Sequence, residues 1–241
     1  MAELDSRGEA EAPRHQLPLA VRLRDDATLE NFHTLPALEP VLSSLRTQLE
    51  PAGEALIYLH GPAGSGKSHL LQACCHLDGT STLYLPLSEL GASEPEAVLQ
   101  GVESLRRVCI DDLHDVAGKP DWELALFHLC NRARQRGCRL VFAAAAAPRA
   151  LGVSLPDLRS RLGGGIVFQL ARCDDEEKSA VLRFRAGRRG LSLSPAVADY
   201  IVSRAPRDME KLLQVLDRLD EASLAEQRAL SKPFVRQALG W

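Results

Sequence analysis

No stretch of this chain approaches the ~18 consecutive apolar residues that a membrane span requires. The first residues, Met1-Ala2-Glu3-Leu4-Asp5, are acidic and polar and have no apolar core, so neither a bilayer anchor nor a secretory leader is expected. An excess of one charge is missing as well. The chain has 29 Lys and Arg against 32 Asp and Glu, a net charge of −3, which argues against a bulk basic surface for nonspecific nucleic-acid binding but leaves a local basic face open. The six cysteines, Cys74, Cys75, Cys109, Cys130, Cys138 and Cys173, form no C-x-x-C pair, and several lie inside apolar stretches. They read as buried free thiols of a protein from a reducing cytoplasm. What remains, 241 residues with 45% hydrophobic content, suffices for a full core in one large domain, or in one domain plus a small one.

The chemistry begins at Gly61-Pro62-Ala63-Gly64-Ser65-Gly66-Lys67-Ser68, a complete G-x-x-x-x-G-K-[ST] loop directly after the apolar run Ala55-Leu56-Ile57-Tyr58-Leu59-His60. Its glycines permit positive φ and close backbone approach, so that successive N–H groups converge on phosphate oxygens. The following helix, from Lys67 through His69 to Cys74, points its positive dipole end at the same anion. Lys67 is expected on the β- and γ-phosphates and the Ser68 hydroxyl on Mg²⁺. The nucleotide contacts expected are thus Gly61, Pro62, Ala63, Gly64, Ser65, Gly66, Lys67, Ser68 and His69, and the ligand is a nucleoside di- or triphosphate. A second apolar strand ends in two acids, Leu105-Arg106-Arg107-Val108-Cys109-Ile110-Asp111-Asp112. Asp111 is the expected Mg²⁺ contact and Asp112 the group that polarises the attacking water, although many ATPases use Glu there.

Residues 1–26, rich in Glu, Ala, Pro and Arg without periodicity, read as a flexible tail. Residues 27–172 alternate apolar strands with amphipathic helices, which predicts an α/β core with a parallel five-stranded sheet and right-handed crossovers. Strands are expected at 55–60, 81–86, 107–111, 139–144 and 165–170, and helices near 37–49, 67–77, 95–103 and 121–136. Residues 173–241 carry no strand signal and predict a small helical lid. Acids follow Asp174 into a helix ending before Gly190, Ser194-Pro195 starts a second, a third runs from about Arg207 to Gln227, and a fourth follows Ser231. A phosphate-loop α/β core with such a lid is an AAA+ architecture.

The ordered set Gly61 to Leu71, Cys109 to Gly118, Asp121 to Arg132, Pro156 to Leu162, Arg207 to Asp220 and Lys232 to Leu239 resembles the DnaA/Hda family, and the shorter Hda branch in particular, from about residue 27 to the C-terminus. The resemblance implies that Arg161, in Leu158-Arg159-Ser160-Arg161-Leu162, is an arginine finger that reaches the γ-phosphate held by a neighbouring subunit. It implies that Arg207 is a sensor arginine touching nucleotide from the lid. It also aligns Gln16-Leu17-Pro18-Leu19-Ala20 with the short motif that docks on the β sliding clamp, where Leu17 and Leu19 would enter an apolar pocket and Gln16 would make the orienting hydrogen bond.

Two departures from the family pattern stand out. Ala145 occupies the place of the usual polar sensor Asp, and Gly163-Gly164-Gly165 stands where relatives carry an aromatic. A methyl group cannot orient water, so slow intrinsic hydrolysis and persistent ADP are expected. No helix-turn-helix segment follows the lid, so sequence-specific DNA binding is not expected. Together these features imply a negative regulator of replication initiation, cytoplasmic and drawn to the nucleoid through the clamp. Its partners would be DnaA and the DNA polymerase III β clamp, with DNA met only through the clamp, no membrane, and a homo-oligomer possible. The same loop and fold would also serve a helicase loader or transposition-type ATPase that binds single-stranded DNA or a helicase, an initiator paralogue that binds DnaA without stimulating hydrolysis, or an autonomous ATPase.

Overall fold

A computed structural model describes residues 23–241. The tail motif Gln16–Ala20 lies outside the described residues. The core elements run α1 (Glu39–Thr47), β1 (Leu56–His60), α2 (Lys67–Asp78), β2 (Thr82–Pro86), α3 (Leu87–Leu90), α4 (Pro95–Leu99), β3 (Arg107–Asp111), α5 (Pro120–Arg136), β4 (Arg139–Ala144), α6 (Pro156–Leu162) and β5 (Ile166–Gln169). Among the described residues the strands form a five-stranded parallel sheet in the order β2-β3-β4-β1-β5.

Alternation along the buried strands sends side chains to both faces of the sheet. Tyr58, Leu85, Ile110 and Phe142 join a cluster with Trp122, Leu126 and Leu129 of α5 and Leu158 and Leu162 of α6. Ile57, Leu59, Cys109, Val141 and Ala143 pack on the other face against Leu42 and Leu45 of α1 and Leu70 and Leu71 of α2. Each fully buried Leu of this kind contributes about 2 kcal/mol of transfer free energy. All six cysteines are free thiols, five of them buried and Cys173 partly so.

The strands fall where the apolar runs predict them, but the helix expected over 95–103 is interrupted. Gln100 is extended and Gly101 has φ of 78°, so α4 stops at Leu99 and a single 3-10 turn follows over Val102–Ser104. The helix expected over 37–49 is also tighter, with a 3-10 turn at Pro36–Leu38 ahead of α1. Two short helices, α3 and α6, have no counterpart in the sequence pattern, because four and seven residues are too few to display a helical period.

The lid comprises α7 (Asp175–Arg188), α8 (Pro195–Arg204), α9 (Met209–Glu226) and α10 (Lys232–Leu239). A capping box starts α7: Asp174 accepts from the Glu177 N–H at 2.8 Å, and the Glu177 carboxylate accepts from the Asp174 N–H at 2.9 Å. Ser194 occupies the N-cap of α8, as expected, but its hydroxyl makes no capping bond. The expected start of the third lid helix at Arg207 is two residues early. Asp208 is the N-cap of α9, taking the Lys211 N–H at 3.1 Å, which leaves Arg207 in the connection ahead of the helix. Leu182, Ile201, Leu212, Leu216, Leu219 and Phe234 close the lid core. Among the described residues no helix is long and apolar enough to cross a membrane.

Residues 24–33 strap the lid to α2. The Arg24 N–H donates to Gln72 Oε1 at 2.9 Å, and the His69 Nε2 to Thr28 carbonyl separation is 2.8 Å. From the lid, Arg185 donates to the Asn31 carbonyl at 3.0 Å and pairs with Asp26, while the His33 and Phe184 rings lie 5.1 Å apart. Burial, with the charges of Arg185 and Arg24, pushes the His69 pKa down to about 4, against the opposing effects of the Thr28 carbonyl and the Asp26 carboxylate. A depressed histidine pKa means that the folded state binds fewer protons than the unfolded chain, so the stabilisation is present above about pH 6.5 and is lost as pH falls toward 4. His69→Gln is therefore expected to flatten the loss of thermal stability between those pH values. A His69→Gln melting curve that follows wild type throughout this window would contradict the assignment.

Candidate nucleotide site

The site forms at the carboxyl ends of β1 and β3. After His60 the chain turns at Gly61, whose N–H donates to the Ala144 carbonyl of β4 at 3.3 Å. A Cβ at Gly61 would lie 2.1 Å from the Leu170 carbonyl oxygen, so only glycine allows this passage beside the segment that follows β5. Gly66 has φ of 93° and sits ahead of α2, where a Cβ would press on the Phe32 ring at 2.9 Å. Without a side chain Gly66 cannot cap α2, so the first N–H groups of the helix are left to an anion.

Lys67 is the first residue of α2 and only 8% exposed. Its ammonium donates to the Gly61 carbonyl at 2.8 Å and the Pro62 carbonyl at 2.9 Å, within the mouth of the loop. Burial lowers its pKa, and the nearby carboxylates of Asp111 and Asp112 oppose that shift. His69, expected among the nucleotide contacts, turns its ring toward the strap at Thr28 and Phe32. That leaves its backbone N–H as the part available to a phosphate.

Asp111, the last residue of β3, is fully buried. Tyr84 on β2 donates its hydroxyl to Asp111 Oδ2 at 2.8 Å, and the Asp112 N–H donates to Oδ1 at 2.9 Å. Burial raises the Asp111 pKa and the neighbouring Asp112 charge adds to this, while the nearby Ser68 hydroxyl and the hydrogen bonds from Tyr84 and the Asp112 backbone act the other way. A buried carboxylate near a serine hydroxyl offers the hard oxygen donors that a divalent cation prefers. Asp112 stands in the left-handed region at φ of 54°, and its Oδ2 accepts from the Ser88 hydroxyl at 2.7 Å. Such a backbone in a residue other than glycine costs about 1 kcal/mol or more and is retained where the surroundings hold it. Ala145 emerges, exposed, just past the end of β4, and the Tyr58 hydroxyl fixes the next residue through the Ala146 carbonyl at 2.9 Å.

The lid meets the loop from the other side. A cleft of about 160 Å³ is lined by Ala63, Gly64, Arg172, Cys173, Lys178, Arg207, Asp208 and Met209. Arg207 lines this cleft together with Ala63 and Gly64 of the phosphate loop. Arg161 is not among the residues that line this cleft. Leu158 and Leu162 bury α6 against the core, and Arg161 remains partly exposed beside α5, where its charge is felt by the Cys130 thiol. Sequence reasoning missed Tyr84, Ser88 and Phe32, which become visible only when strand pairing and the strap bring them to the loop.

Fold, phosphate loop, strand-end acids and lid define an AAA+ nucleotide-binding module. The comparisons with known proteins narrow it. Residues 175–239 match the model of the Hda lid domain. A relative from Haemophilus influenzae, described as an uncharacterized protein, is 42% identical over 228 residues, spanning 93% of this chain and 98% of its own. Domain III of the Thermotoga maritima replication initiation protein DnaA superposes with a TM-score of 0.74 at 21% identity, covering 91% of this chain and 98% of that one. AMPPCP-bound DnaA from Aquifex aeolicus gives a TM-score of 0.70 at 23% identity, covering 85% of this chain and 68% of that one. With an Hda-type lid on a core that has the fold of DnaA domain III, the chain is an Hda/DnaA-like AAA+ protein.

Proposed function

We propose that this protein is a DnaA-related regulator of replication initiation of the Hda type, which binds ADP or ATP and stimulates hydrolysis of the ATP held by DnaA. The observation that carries the reading is the pairing of an Hda-type lid at 175–239 with Arg161, a partly exposed guanidinium on α6 that does not line the cleft at the chain's own phosphate loop. A guanidinium keeps its charge and its planar fork, so it can stabilise charge that develops on a partner's phosphoryl oxygens.

In the chain's own site Lys67 and the N–H groups of the loop hold the phosphates, and Arg207 adds a lid contact. Ser68 and Asp111 are the residues that would hold Mg²⁺, which would screen phosphate charge. Asp112, tied to Ser88, is the candidate to orient water. Ala145 offers no polar group to assist, which supports weak intrinsic turnover and a long-lived ADP form.

Gln16-Leu17-Pro18-Leu19-Ala20 is the proposed peptide for the sliding clamp. Replacing Gln16, Leu17 and Leu19 with Ala should abolish co-purification with the clamp and remove any dependence of DnaA ATP hydrolysis on clamp-loaded DNA, while leaving ADP affinity unchanged. Unaltered clamp binding would remove the tail from the proposal. Saturable binding of the wild-type chain to single-stranded DNA, together with a DnaA hydrolysis rate that does not respond to it, would favour the helicase-loader class instead.

A further inference from the structure

Glu123 lies in the first turn of α5 and is 2% exposed. Among the described residues its hydrogen bonds all come from backbone N–H groups. Oε1 accepts from Gly118 at 2.7 Å and from Ser154 at 3.0 Å, and Oε2 accepts from Ser154 at 3.1 Å and from Leu155 at 2.7 Å. The bond to Gly118 is local and serves the start of α5. The bonds to Ser154 and Leu155 reach 31 and 32 residues along the chain and serve a different element. Leu155 is the N-cap of α6, with Pro156 as the first helical residue. One buried carboxylate thus fixes the point at which α6 leaves the loop after β4.

We infer that Glu123 is the positioning residue for Arg161; this rests on the reading of Arg161 as a finger acting in trans. Arg161 is six residues beyond the anchored Leu155, about 9 Å along the helix axis at 1.5 Å per residue. A tilt of roughly 10° at the anchored end would move the guanidinium by about 2 Å. Displacements of about 1 Å at a reacting group can cost a hundredfold in rate. Leu158 and Leu162 hold the depth of α6 in the core, whereas the bonds to Glu123 are directional and set its axis. The far end of α6 is held by backbone, with the Gly163 and Gly164 N–H groups donating to the Arg159 and Arg161 carbonyls and Ile166 entering the sheet opposite Ile57, so Glu123 supplies the matching anchor at the near end. A carboxylate is needed because it only accepts. In Glu123→Gln the amide NH2 would confront an N–H of Ser154, Leu155 or Gly118.

The test uses the full chain as Glu123→Gln, Glu123→Asp, Arg161→Ala and Glu123→Gln with Arg161→Ala, in single-turnover hydrolysis of ATP pre-bound to DnaA with clamp-loaded DNA, alongside ADP affinity and hydrogen exchange over residues 154–162. Expected are ADP affinities within about twofold of wild type and stimulation that falls about 10- to 100-fold in Glu123→Gln and less in Glu123→Asp, which keeps the carboxylate. The double variant should be no worse than Arg161→Ala alone, and exchange over 154–162 should be faster in Glu123→Gln. Wild-type stimulation by Glu123→Gln beside a defective Arg161→Ala would overturn the inference while leaving the finger intact. So would a loss in Glu123→Gln matched by an equal loss of ADP affinity, which marks general destabilisation. An Arg161→Ala variant as active as wild type would overturn the finger reading itself; faster exchange in Glu123→Gln would then still separate the anchoring of α6 from that failure.

Discussion

Arg161→Ala is expected to reduce stimulation of DnaA ATP hydrolysis by about 10³-fold or more, the range over which a finger supplied in trans accelerates phosphoryl transfer. The size follows from where the charge acts. If the proposed site between this chain and DnaA closes and excludes water, a fixed cation opposite the transferring phosphoryl group would be worth far more than the same charge in solvent. Leu158 and Leu162 bury the helix, so truncation at Arg161 leaves the fold in place and should not change the melting temperature or the affinity for ADP. Arg161→Lys should recover little, because an ammonium lacks the bidentate fork. Stimulation retained in Arg161→Ala, measured in single turnover, would contradict the role.

Lys67→Ala should weaken binding of ADP or ATP by about 100-fold, the loss of roughly two charge-assisted hydrogen bonds. In the absence of nucleotide the same change should cost little stability. The buried ammonium, with its pKa lowered by burial, makes bonds to the Gly61 and Pro62 carbonyls that mainly offset its own desolvation. A melting experiment with and without nucleotide separates the two effects. Wild type should gain thermal stability on adding ADP and Lys67→Ala should gain much less. Equal ligand-induced shifts, read by calorimetry, would exclude Lys67 as a phosphate contact.

The strands and the loop were legible because their signals are local. Buried parallel strands are continuous apolar runs, and Gly61 to Ser68 follows one of them directly. Asp111 and Asp112 end another, so the elements that bring them to Lys67 could be drawn from the sequence. The partners that hold those acids could not. Tyr84 meets Asp111 because β2 pairs with β3 in a register that sets Leu85 beside Ile110, and register is a tertiary property. The strap of residues 24–33 has no periodicity, and its bonds to Gln72, His69 and Arg185 span up to 159 residues of chain. Helix α6 is too short to announce itself by period, and its anchoring by Glu123 joins two segments that look unrelated in sequence. Arg207 and Arg161 gained roles from family resemblance. The structure separates the two, since Arg207 lines the cleft at the phosphate loop while Arg161 lies alongside α5.

The most direct test of the account is the rate at which ATP already bound to DnaA is hydrolysed in a single turnover when the wild-type chain, loaded with ADP, is added with clamp-loaded DNA. The account predicts a large acceleration that needs both the clamp and this chain, ending with DnaA in its ADP form. A hydrolysis rate unchanged by the wild-type chain, with clamp and ADP both present, would contradict it.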